Sequence, residues 1–514
     1  MLGLLAALRH PAPRRTLVIG LGTGSSAGWL GAIKTIERVD VVELEPLVLD
    51  VARACVPVNR DVLANPKVRV TIGDAREMLL TTRDRYDIIA SEPSNPFRAG
   101  IASLFTVEYY RAAADRLTDD GVFAQWVQGY EIDAPTLRTI YATLAAVFPQ
   151  VETWQTSGGD LALLASKRPG GYHAAALRAR ITEAPFKDAL RDAWRAVDLN
   201  GLLAHYVATD QVTRLFASSA RAEVNTDDRN IVEFGLARSV GKTTSLLVPE
   251  LRLTARAIQA SRPPLDSDAG VQWPAVDTAW SNFVGWILPQ EVAGALPPSE
   301  QARQAALRQY FANDDPDGAR AIWQGQSEPP RDPTELAMAA DLEAQAGSDA
   351  ALPLIDRLRA YQPGEADTIL AALRLRQSRI GEAAAALQSA LAHLHLDPWQ
   401  MMRYKQMAMS LAASISGTDP ATAPKLYDAL GEPLSVRSID NQRNTTRLEL
   451  ATRFDFKGRC REPIEKLEPD VPWTARFLTL RRDCYQLNND PRAAAANRDL
   501  STFLAREPLP IAPR

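Results

Sequence analysis

Glycine recurs at every second position after an apolar run near the amino terminus. The three positions, directly after the segment TLVI at residues 16–19, are Gly20, Gly22 and Gly24. Such an apolar run is typical of a buried parallel strand, and glycines after it let the backbone turn sharply and approach a ligand. A helix is expected to begin at Ser25 or Ser26, either of which can cap it. This pattern is typical of a turn that binds a nucleotide, with the amino end of the helix directed at the ligand.

Acidic and amide side chains follow the next apolar runs in the same way. In chain order these candidate residues are Glu43, Asp74 with Ala75, Glu92 and Asn95. Glu43 lies 23 residues after Gly20, near the roughly 20 residues expected for an acid that accepts hydrogen bonds from ribose hydroxyls. Because the carboxyl ends of parallel strands meet at one edge of a sheet, these side chains are expected to form one site.

The alternation of apolar runs with amphipathic segments predicts an α/β fold with a doubly wound, mostly parallel sheet. After the first strand, the predicted strands are residues 39–42, 68–72, 87–90 and 122–127. Residues 151–155 and 160–166 are expected to close the sheet as an antiparallel hairpin. The opening segment MLGLLAAL is expected to be the end of a helix packed on this domain.

The glycine spacing separates two classes of nucleotide. A nicotinamide-binding turn, G-x-G-x-x-G, requires glycine at the position of Ser25. The spacing found here, G-x-G-x-G, is similar to that of S-adenosylmethionine-dependent transferases. That similarity implies a nucleotide-binding set in which Glu43 binds the ribose and Asp74 the adenine amine. The full set is Gly20, Gly22, Thr23, Gly24, Glu43, Asp74 and Ala75.

Composition excludes several other functions. The formal net charge of -4 argues against nucleic-acid binding. No run approaches the roughly 18 to 20 apolar residues that a membrane span requires. Three scattered cysteines predict neither a disulfide framework nor a metal site. We therefore expect reduced thiols and a cytoplasmic protein.

The segment DIIASEPSNPFRAGIASLFTVEYYRAAADRLTDDGVFAQW, residues 87–126, carries a family resemblance. It resembles the spermidine synthase (polyamine aminopropyltransferase) family, in which an acidic loop after the fourth strand precedes a similar helix start. LRHPAPRRTLVIG, VVELEP and VTIGDAREML fit that family in the same order. With NTDDRNIVEF at residues 225–234, the chain is more closely similar to bacterial spermidine synthase-like proteins that are often fused to a membrane segment.

The resemblance implies a class I methyltransferase-like Rossmann fold and transfer of an aminopropyl group to a small amine, with no metal. Decarboxylated S-adenosylmethionine, or S-adenosylmethionine itself, would be the co-substrate. Glu92 matches the first acid of the family's loop, and Asn95 matches the proposed proton acceptor. Thr23 stands where the polyamine enzymes have an acid that pairs with the aminopropyl ammonium. Because an amide cannot accept a proton at neutral pH, Glu92 is the substitute expected for that role.

Two further features bear on access to the site. Polyamine synthases carry an amino-terminal β-hairpin domain over the active site, whereas here the first strand comes almost at once. The loop of residues 93–103 is expected to close over the ligand instead, or a membrane partner completes the site. The NTDDR motif is interpreted as a turn before a strand at residues 231–234, in preference to acids lining the amine entrance.

The second half of the chain has a helical pattern. Residues 363–398 predict two amphipathic helices joined at Gly381, spanning 35 residues, close to the roughly 34 of a tetratricopeptide unit. We predict domains at 1–240, 241–325 (a helical connection) and 326–514 (a tetratricopeptide-like all-α repeat). The repeats are expected to bind a protein partner, to mediate self-association, or to serve as a structural cap. Three tryptophans are expected to pack where the halves meet: Trp273, Trp280 and Trp286.

Three functional hypotheses remain open at the level of sequence. The first is an aminopropyltransferase in polyamine biosynthesis, acting on an unidentified amine. The second is a degenerate nucleotide-binding scaffold whose helical repeats bind partners, which the residue types at Thr23 and Asn95 favour. The third is an S-adenosylmethionine-dependent methyltransferase.

Overall fold

The computed structural model describes residues 1–98, 100–130, 132–156, 159–219, 222–239, 247–268, 270–283, 285 and 288–506. The chain divides into two compact units, Met1–Gln326 and Ser327–Arg514. The further division of the first unit at residue 240 remains a prediction. Trp286, expected where the halves meet, lies outside the described residues.

Strands and helices alternate through the first part of the first unit. The strands are β1 (Arg15–Ile19), β2 (Arg38–Glu43), β3 (Val68–Ile72), β4 (Tyr86–Ser91), β5 (Leu117–Gln128), β6 (Gln150–Gln155), β7 (Asp160–Ser166) and β8 (Tyr206–Ala208). The helices are α1 (Leu2–Arg9), α2 (Ser25–Gly31), α3 (Val48–Ala54), α4 (Val56–Asn59), α5 (Ala75–Thr81), α6 (Val107–Arg116), α7 (Ala134–Ala145), α8 (Ala174–Ile181), α9 (Phe186–Trp194), α10 (Leu199–Leu203), α11 (Asp210–Ala217), α12 (Gly235–Ser239), α13 (Leu247–Ala257), α14 (Trp273–Phe283), α15 (Gln290–Ala293), α16 (Pro298–Phe311) and α17 (Pro316–Trp323). Short 3-10 helices cover Ile101–Phe105 and Ile231–Phe234.

The eight strands form one sheet in the order β3-β2-β1-β4-β5-β7-β6-β8. The strands from β3 to β5 pair in parallel, whereas β7 is antiparallel to both β5 and β6. The predicted doubly wound sheet and its closing hairpin are therefore confirmed. Strand order reverses at β1, whose neighbours are β2 and β4, and a ligand site is expected at the carboxyl ends of strands where the order reverses.

Apolar side chains of the central strand are divided between two cores. Val18 packs in one cluster with helix α1, whereas Leu17 and Ile19 pack in the other with helix α6. This division follows from the strand geometry, because successive side chains point to opposite faces. Both faces of the sheet are covered at β1, which explains why residues 17–19 are all apolar and do not alternate with polar residues. Helix α1 is buried, as predicted for the opening segment.

Sequence patterns missed or misassigned two short elements. Strand β8 has only three residues, and pairs with β6 at the sheet edge, so it carries too few alternations to be recognised. Residues 231–234, predicted as a strand, form a 3-10 helix instead. Their β-branched and aromatic side chains favour a strand, but tertiary contacts override that preference.

The described part of the second unit is entirely helical. Its α-helices are α18 (Pro333–Gln345), α19 (Ala351–Arg359), α20 (Pro363–Arg376), α21 (Ile380–Leu396), α22 (Met402–Thr418), α23 (Ala423–Ala429), α24 (Asp440–Ala451), α25 (Phe456–Arg459), α26 (Arg461–Leu467), α27 (Ala475–Leu487) and α28 (Ala493–Arg506), and its 3-10 helices are Pro420–Thr422 and Arg437–Ile439. Successive helices such as α18 and α19, or α20 and α21, pack against each other as expected for helical repeats. The predicted joint at Gly381 is wrong. The chain turns at Ser378, which has a φ of 60°, and Gly381 lies inside α21.

Among the described helices, none is long and apolar enough to cross a bilayer.

The prediction of three free thiols is wrong. Cys460 and Cys484 form a disulfide with their Cα atoms 5.9 Å apart, and Cys55 is the free cysteine. Cys484 lies on α27, and packing of this helix beside Cys460 brings together two residues 24 positions apart. An odd cysteine count gave no indication of this pairing. The cytoplasmic assignment rested on reduced thiols and loses that support.

The disulfide predicts how many thiols react in the denatured protein. Denatured protein without reductant is expected to react with one equivalent of a thiol reagent, and with three after reduction. Because the bridge closes a loop of 24 residues, its loss should lower the free energy of unfolding of the second unit by about 3 kcal/mol, measured by chemical denaturation. A Cys55→Ala control should show no reactive thiol before reduction. Three reactive thiols without reductant would contradict the pairing.

Candidate active site

The glycine turn is held at the carboxyl end of β1 by backbone hydrogen bonds. The Gly20 amide donates to the carbonyl oxygen of Val42 at 2.9 Å, and the Gly24 amide donates to that of Leu21 at 2.7 Å. Gly20 and Gly24 have φ angles of 89° and 79°, in the left-handed region that glycine adopts without strain. The turn between β1 and α2 is therefore a fixed backbone structure.

Gly20 also lies directly against the end of β4. A Cβ atom at this position would be 2.6 Å from the backbone carbonyl oxygen of Glu92. The Glu92 amide donates to the carbonyl oxygen of Ile19 at 2.8 Å. The absence of a side chain at Gly20 thus lets the candidate acid reach the turn.

The predicted serine cap of α2 is wrong. Gly24 occupies the capping position, and no side chain caps the helix. The Ser26 hydroxyl instead donates to Glu92 Oε1, and the Ser25 and Thr23 hydroxyls lie 2.9 Å apart. Because Gly24 adopts the left-handed conformation, the helix starts without an extended residue whose side chain can fold back over its first amides.

Glu43 extends from the end of β2 to the glycine turn. Its Oε2 atom accepts from the Leu21 amide at 2.7 Å, and its Oε1 atom accepts from the Glu45 amide at 3.0 Å. The side chain is buried. Each carboxylate oxygen can accept a second hydrogen bond, so Glu43 both orients the turn and retains acceptors for a ligand.

Asp74 and Ala75 lie at the start of α5, after β3. Asp74 caps this helix, with Oδ1 accepting from the Arg76 amide at 2.7 Å and from the Glu77 amide at 3.4 Å. In the described part of the chain both of these bonds end at Oδ1, which leaves Oδ2 for a donor on a ligand. The Gly73 amide donates to the Glu43 carbonyl oxygen at 2.9 Å, and so links this strand end to the neighbouring one.

The carboxyl group of Glu92 has a raised pKa. Burial raises the pKa of Glu92, and the positive charge of the Met1 amino group, followed by the hydrogen bond from Ser26, opposes part of that increase. A carboxyl group with a raised pKa accepts a proton more readily than an exposed glutamate does. Perturbed acids of this kind are typical of catalytic sites.

The two remaining candidates, Asn95 and Thr23, are less buried than Glu43. Asn95 is half-buried in the loop after β4, where its backbone carbonyl oxygen accepts from the Arg98 amide at 3.0 Å. Thr23 is exposed on the turn. The described contacts therefore join Glu43 and Glu92 to the glycine turn and place Asp74 at the adjacent strand end. They do not bring the Asn95 side chain to this group.

Sequence reasoning missed Asn59, which fixes the glycine turn from outside. This fully buried residue donates through Nδ2 to the Thr23 carbonyl oxygen at 2.8 Å and to the Ala52 carbonyl oxygen at 2.7 Å. It lies at the end of α4 and 36 positions after Thr23. No local pattern in the sequence marks such a contact.

Arg76 was also missed, although it follows Asp74 and Ala75 directly. Its guanidinium donates to the Ser103 carbonyl oxygen at 2.8 Å and to Asp227 Oδ1 at 2.7 Å. The hydrogen bonds from Arg76 lower the pKa of Asp227. One side chain thus ties the carboxyl end of the 93–103 loop to the NTDDR motif.

The NTDDR motif forms a turn, as predicted. The Thr226 amide donates to the Arg229 carbonyl oxygen at 3.3 Å, and the buried Asn225 side chain donates to the Phe105 carbonyl oxygen at 3.1 Å. Asp227 is paired with Arg76, so this acid is not available to line an amine entrance. Within the described residues, no group of His, Cys, Asp and Glu side chains is arranged to hold a metal ion.

The mostly parallel sheet, whose strand order reverses at β1, has the fold of the class I methyltransferase type. Residues 1–157 match the family described as "Spermine/spermidine synthase domain". A polyamine aminopropyltransferase of Clostridium beijerinckii is 28% identical over 216 residues, covering 40% of this chain and 70% of the relative. One from Nitrosomonas europaea is 32% identical over 151 residues, covering 29% of this chain and 46% of the relative.

A solved structure adds one further comparison. Spermidine synthase from Thermotoga maritima is 20% identical, with a TM-score of 0.32, and the match covers 43% of this chain and 73% of that chain. The chain spans about half the length of several other aminopropyltransferases that it matches. On the family and sequence matches, the first unit contains a spermidine synthase-like domain, and its relatives indicate a transferase.

The close approach at Gly20 predicts the effect of a single methyl group. Gly20→Ala is expected to destabilise the first unit by about 1–3 kcal/mol, because the residue keeps a positive φ and its Cβ meets the Glu92 carbonyl oxygen. Gly73→Ala is the matched control: it also lies at a strand end, but no atom lies within 4 Å of its added Cβ. Thermal denaturation of both variants checks the prediction, and equal midpoints would contradict it.

Proposed function

We propose that the first unit transfers an aminopropyl group from decarboxylated S-adenosylmethionine to a small amine, in polyamine biosynthesis. The observation that carries this proposal is the position of Glu92, whose backbone packs on Gly20 and whose carboxylate accepts from Ser26 beside the turn. An acid with a raised pKa thereby lies next to the turn proposed to bind the nucleotide. The matches to polyamine aminopropyltransferases support the same reaction class.

The proposed nucleotide contacts follow from the acceptors that the fold leaves available. Glu43 is suited to accept from ribose hydroxyls, because each of its oxygens has a single backbone partner among the described contacts. Asp74 Oδ2 is suited to accept from the adenine amine. The turn at Gly22, where an added Cβ atom would have no atom within 4 Å, gives the ligand an unobstructed approach. When bound, the nucleotide supplies a sulfonium group that activates the adjacent propyl carbon.

The proposed chemistry is a direct displacement. The lone pair of the acceptor amine forms a carbon–nitrogen bond at the propyl carbon, and the carbon–sulfur bond breaks with its electrons remaining on sulfur. The products are a secondary ammonium ion and the neutral thioether methylthioadenosine. A free amine has a pKa near 10, so a carboxylate must hold the cation and accept its proton. Glu92 is the residue we assign to that role, with the Asn95 amide as a neutral hydrogen-bonding partner for the amine.

The relatives favour aminopropyl transfer over the two alternatives. The matched curated proteins are aminopropyltransferases, and this gives the methyltransferase hypothesis no support. The scaffold hypothesis rested on Thr23 and Asn95, whereas Glu92 retains a perturbed carboxyl group. Binding of a protein partner, self-association or a membrane partner remains a prediction.

The nucleotide proposal is tested by ligand binding and product identification. Decarboxylated S-adenosylmethionine at about 100 times its Kd should stabilise the protein by about 2.7 kcal/mol, measured as a rise in the thermal midpoint. Glu43→Ala should abolish that rise. With a panel of diamines, mass spectrometry should detect methylthioadenosine, and Glu92→Gln should reduce its release at least about 100-fold.

The turnover of the Asn95→Asp variant is the comparison for the turnover lost in Glu92→Gln. This variant introduces a second carboxylate into the same loop and should increase turnover, whereas Glu92→Gln removes the proposed base. Release of S-adenosylhomocysteine instead would establish methyl transfer. No product from wild type or Asn95→Asp, despite nucleotide binding, would support the scaffold hypothesis.

The raised pKa of Glu92 predicts the pH dependence of turnover. The carboxylate form is needed, so kcat/KM should increase with pH through the pKa of Glu92, which lies above that of an ordinary glutamate. Ser26→Ala removes a hydrogen bond that lowers this pKa, and the increase should move to higher pH. The pH profiles of both proteins test this. An unchanged profile in Ser26→Ala would exclude Glu92 as the titrating group.

A further inference from the structure

A cavity of about 490 Å³ lies in the first unit, beside the edge strand β8. Helices α13 and α14 contribute six of its thirteen lining residues, and β8 contributes Tyr206 and Val207. In the sheet order, four strands separate β8 from β1, which corresponds to about 24 Å between the two strands. The cavity is therefore distinct from the glycine turn and lies outside residues 1–157.

Three arginines line this cavity: Arg252, Arg256 and Arg262. Asp277 is the acidic residue among its lining side chains. The lining thus has a formal charge of +2, in a protein whose net charge is -4. A concentration of positive charge in a cavity attracts anions and repels the cationic amines proposed for the other site.

Arg252 is buried without a carboxylate partner. Its guanidinium donates to three neutral oxygens: Gln155 Oε1 at 3.0 Å and the backbone carbonyl oxygens of Tyr206 and Ala204 at 3.1 and 2.9 Å. Among the described residues, no acid lies within ion-pair distance of it. Burial, followed by repulsion from Arg256, lowers the pKa of Arg252 to about 9. A cation held in this way is stabilised by an anion that enters the cavity.

Two tryptophans orient the guanidinium groups. Arg252 lies 4.5 Å from the ring centre of Trp280, and Arg262 lies 4.4 Å from that of Trp273. Arg256 is paired with Asp277 and lies 5.8 Å from the Trp280 ring. Trp280 is buried, and its indole nitrogen has no hydrogen-bond partner in the described structure. Guanidinium groups fixed on aromatic rings are suited to bind phosphate through paired hydrogen bonds.

We propose that this cavity binds a small organic phosphate monoester, with its phosphoryl group among Arg252, Arg256 and Arg262. A phosphate monoester carries a charge of about -1.5 to -2 at pH 7, which balances the formal +2 of the lining. The volume lies within the range of roughly 300–1,000 Å³ typical of small-molecule sites, and so exceeds the needs of a free phosphate ion. Gln259 and Ser261, which also line the cavity, supply polar groups for the organic part.

Calorimetric titration of the full chain with ribose 5-phosphate tests the proposal, with inorganic phosphate and succinate titrated at the same ionic strength. Ribose 5-phosphate is expected to bind saturably and more tightly than inorganic phosphate, and succinate more weakly than either. Tighter binding of succinate would overturn the phosphate assignment. No saturable binding of ribose 5-phosphate, or equal binding of all three anions, would overturn the site.

Two substitutions should change the affinity for ribose 5-phosphate in opposite directions. Arg262→Gln removes an exposed guanidinium and should weaken binding about tenfold. Asp277→Asn removes the opposing charge and frees Arg256, and should tighten binding. The matched control Arg168→Gln removes an arginine that pairs with Asp119 and Asp120, and should leave binding unchanged.

Quenching of tryptophan fluorescence provides a second measurement, since Trp273 and Trp280 line the cavity. The titrations need no catalytic activity, so their outcome is independent of the aminopropyl-transfer proposal. Equal weakening by Arg262→Gln and Arg168→Gln, or weaker binding by a folded Asp277→Asn protein, would overturn the proposal.

Discussion

The contact between Gly20 and the Glu92 carbonyl oxygen is the constraint on which the candidate active site depends. Strands β1 and β4 are adjacent and parallel, and the close approach just beyond their carboxyl ends leaves no room for a side chain at Gly20. The same turn receives the Glu43 carboxylate from β2 and the Asn59 amide from α4. Three parts of the chain therefore converge on a few backbone atoms. The precision of the site follows from hydrogen bonds between rigid strand ends.

Much of this arrangement was predictable from the sequence. Apolar runs such as residues 17–19 indicate central strands, because both faces are buried, and polar residues after them mark the carboxyl edge. The order of Gly20, Glu43, Asp74 and Glu92 along the chain therefore predicted their common edge. Their roles in binding and catalysis are a separate question, which the proposed experiments address.

The unpredicted features depend on contacts between distant residues. Serine commonly caps helices, yet Gly24 occupies the capping position of α2, and the Ser26 hydroxyl donates to Glu92. Strand β8 exists because β6 offers it a pairing edge. Cys460 and Cys484 meet through helix packing, which a count of cysteines cannot detect. Trp273 and Trp280 line a cavity within the first unit, which no local pattern in the sequence indicates.

Arg76 gives the loop of residues 93–103 one fixed end. Its guanidinium holds the Ser103 carbonyl oxygen and is itself anchored by Asp227, a residue 151 positions away. The other end of the loop is held as well, because Pro93 directly follows Glu92, whose amide donates to the Ile19 carbonyl oxygen at 2.8 Å. Any movement of the Asn95 side chain relative to Glu92 therefore has to arise between these two anchors.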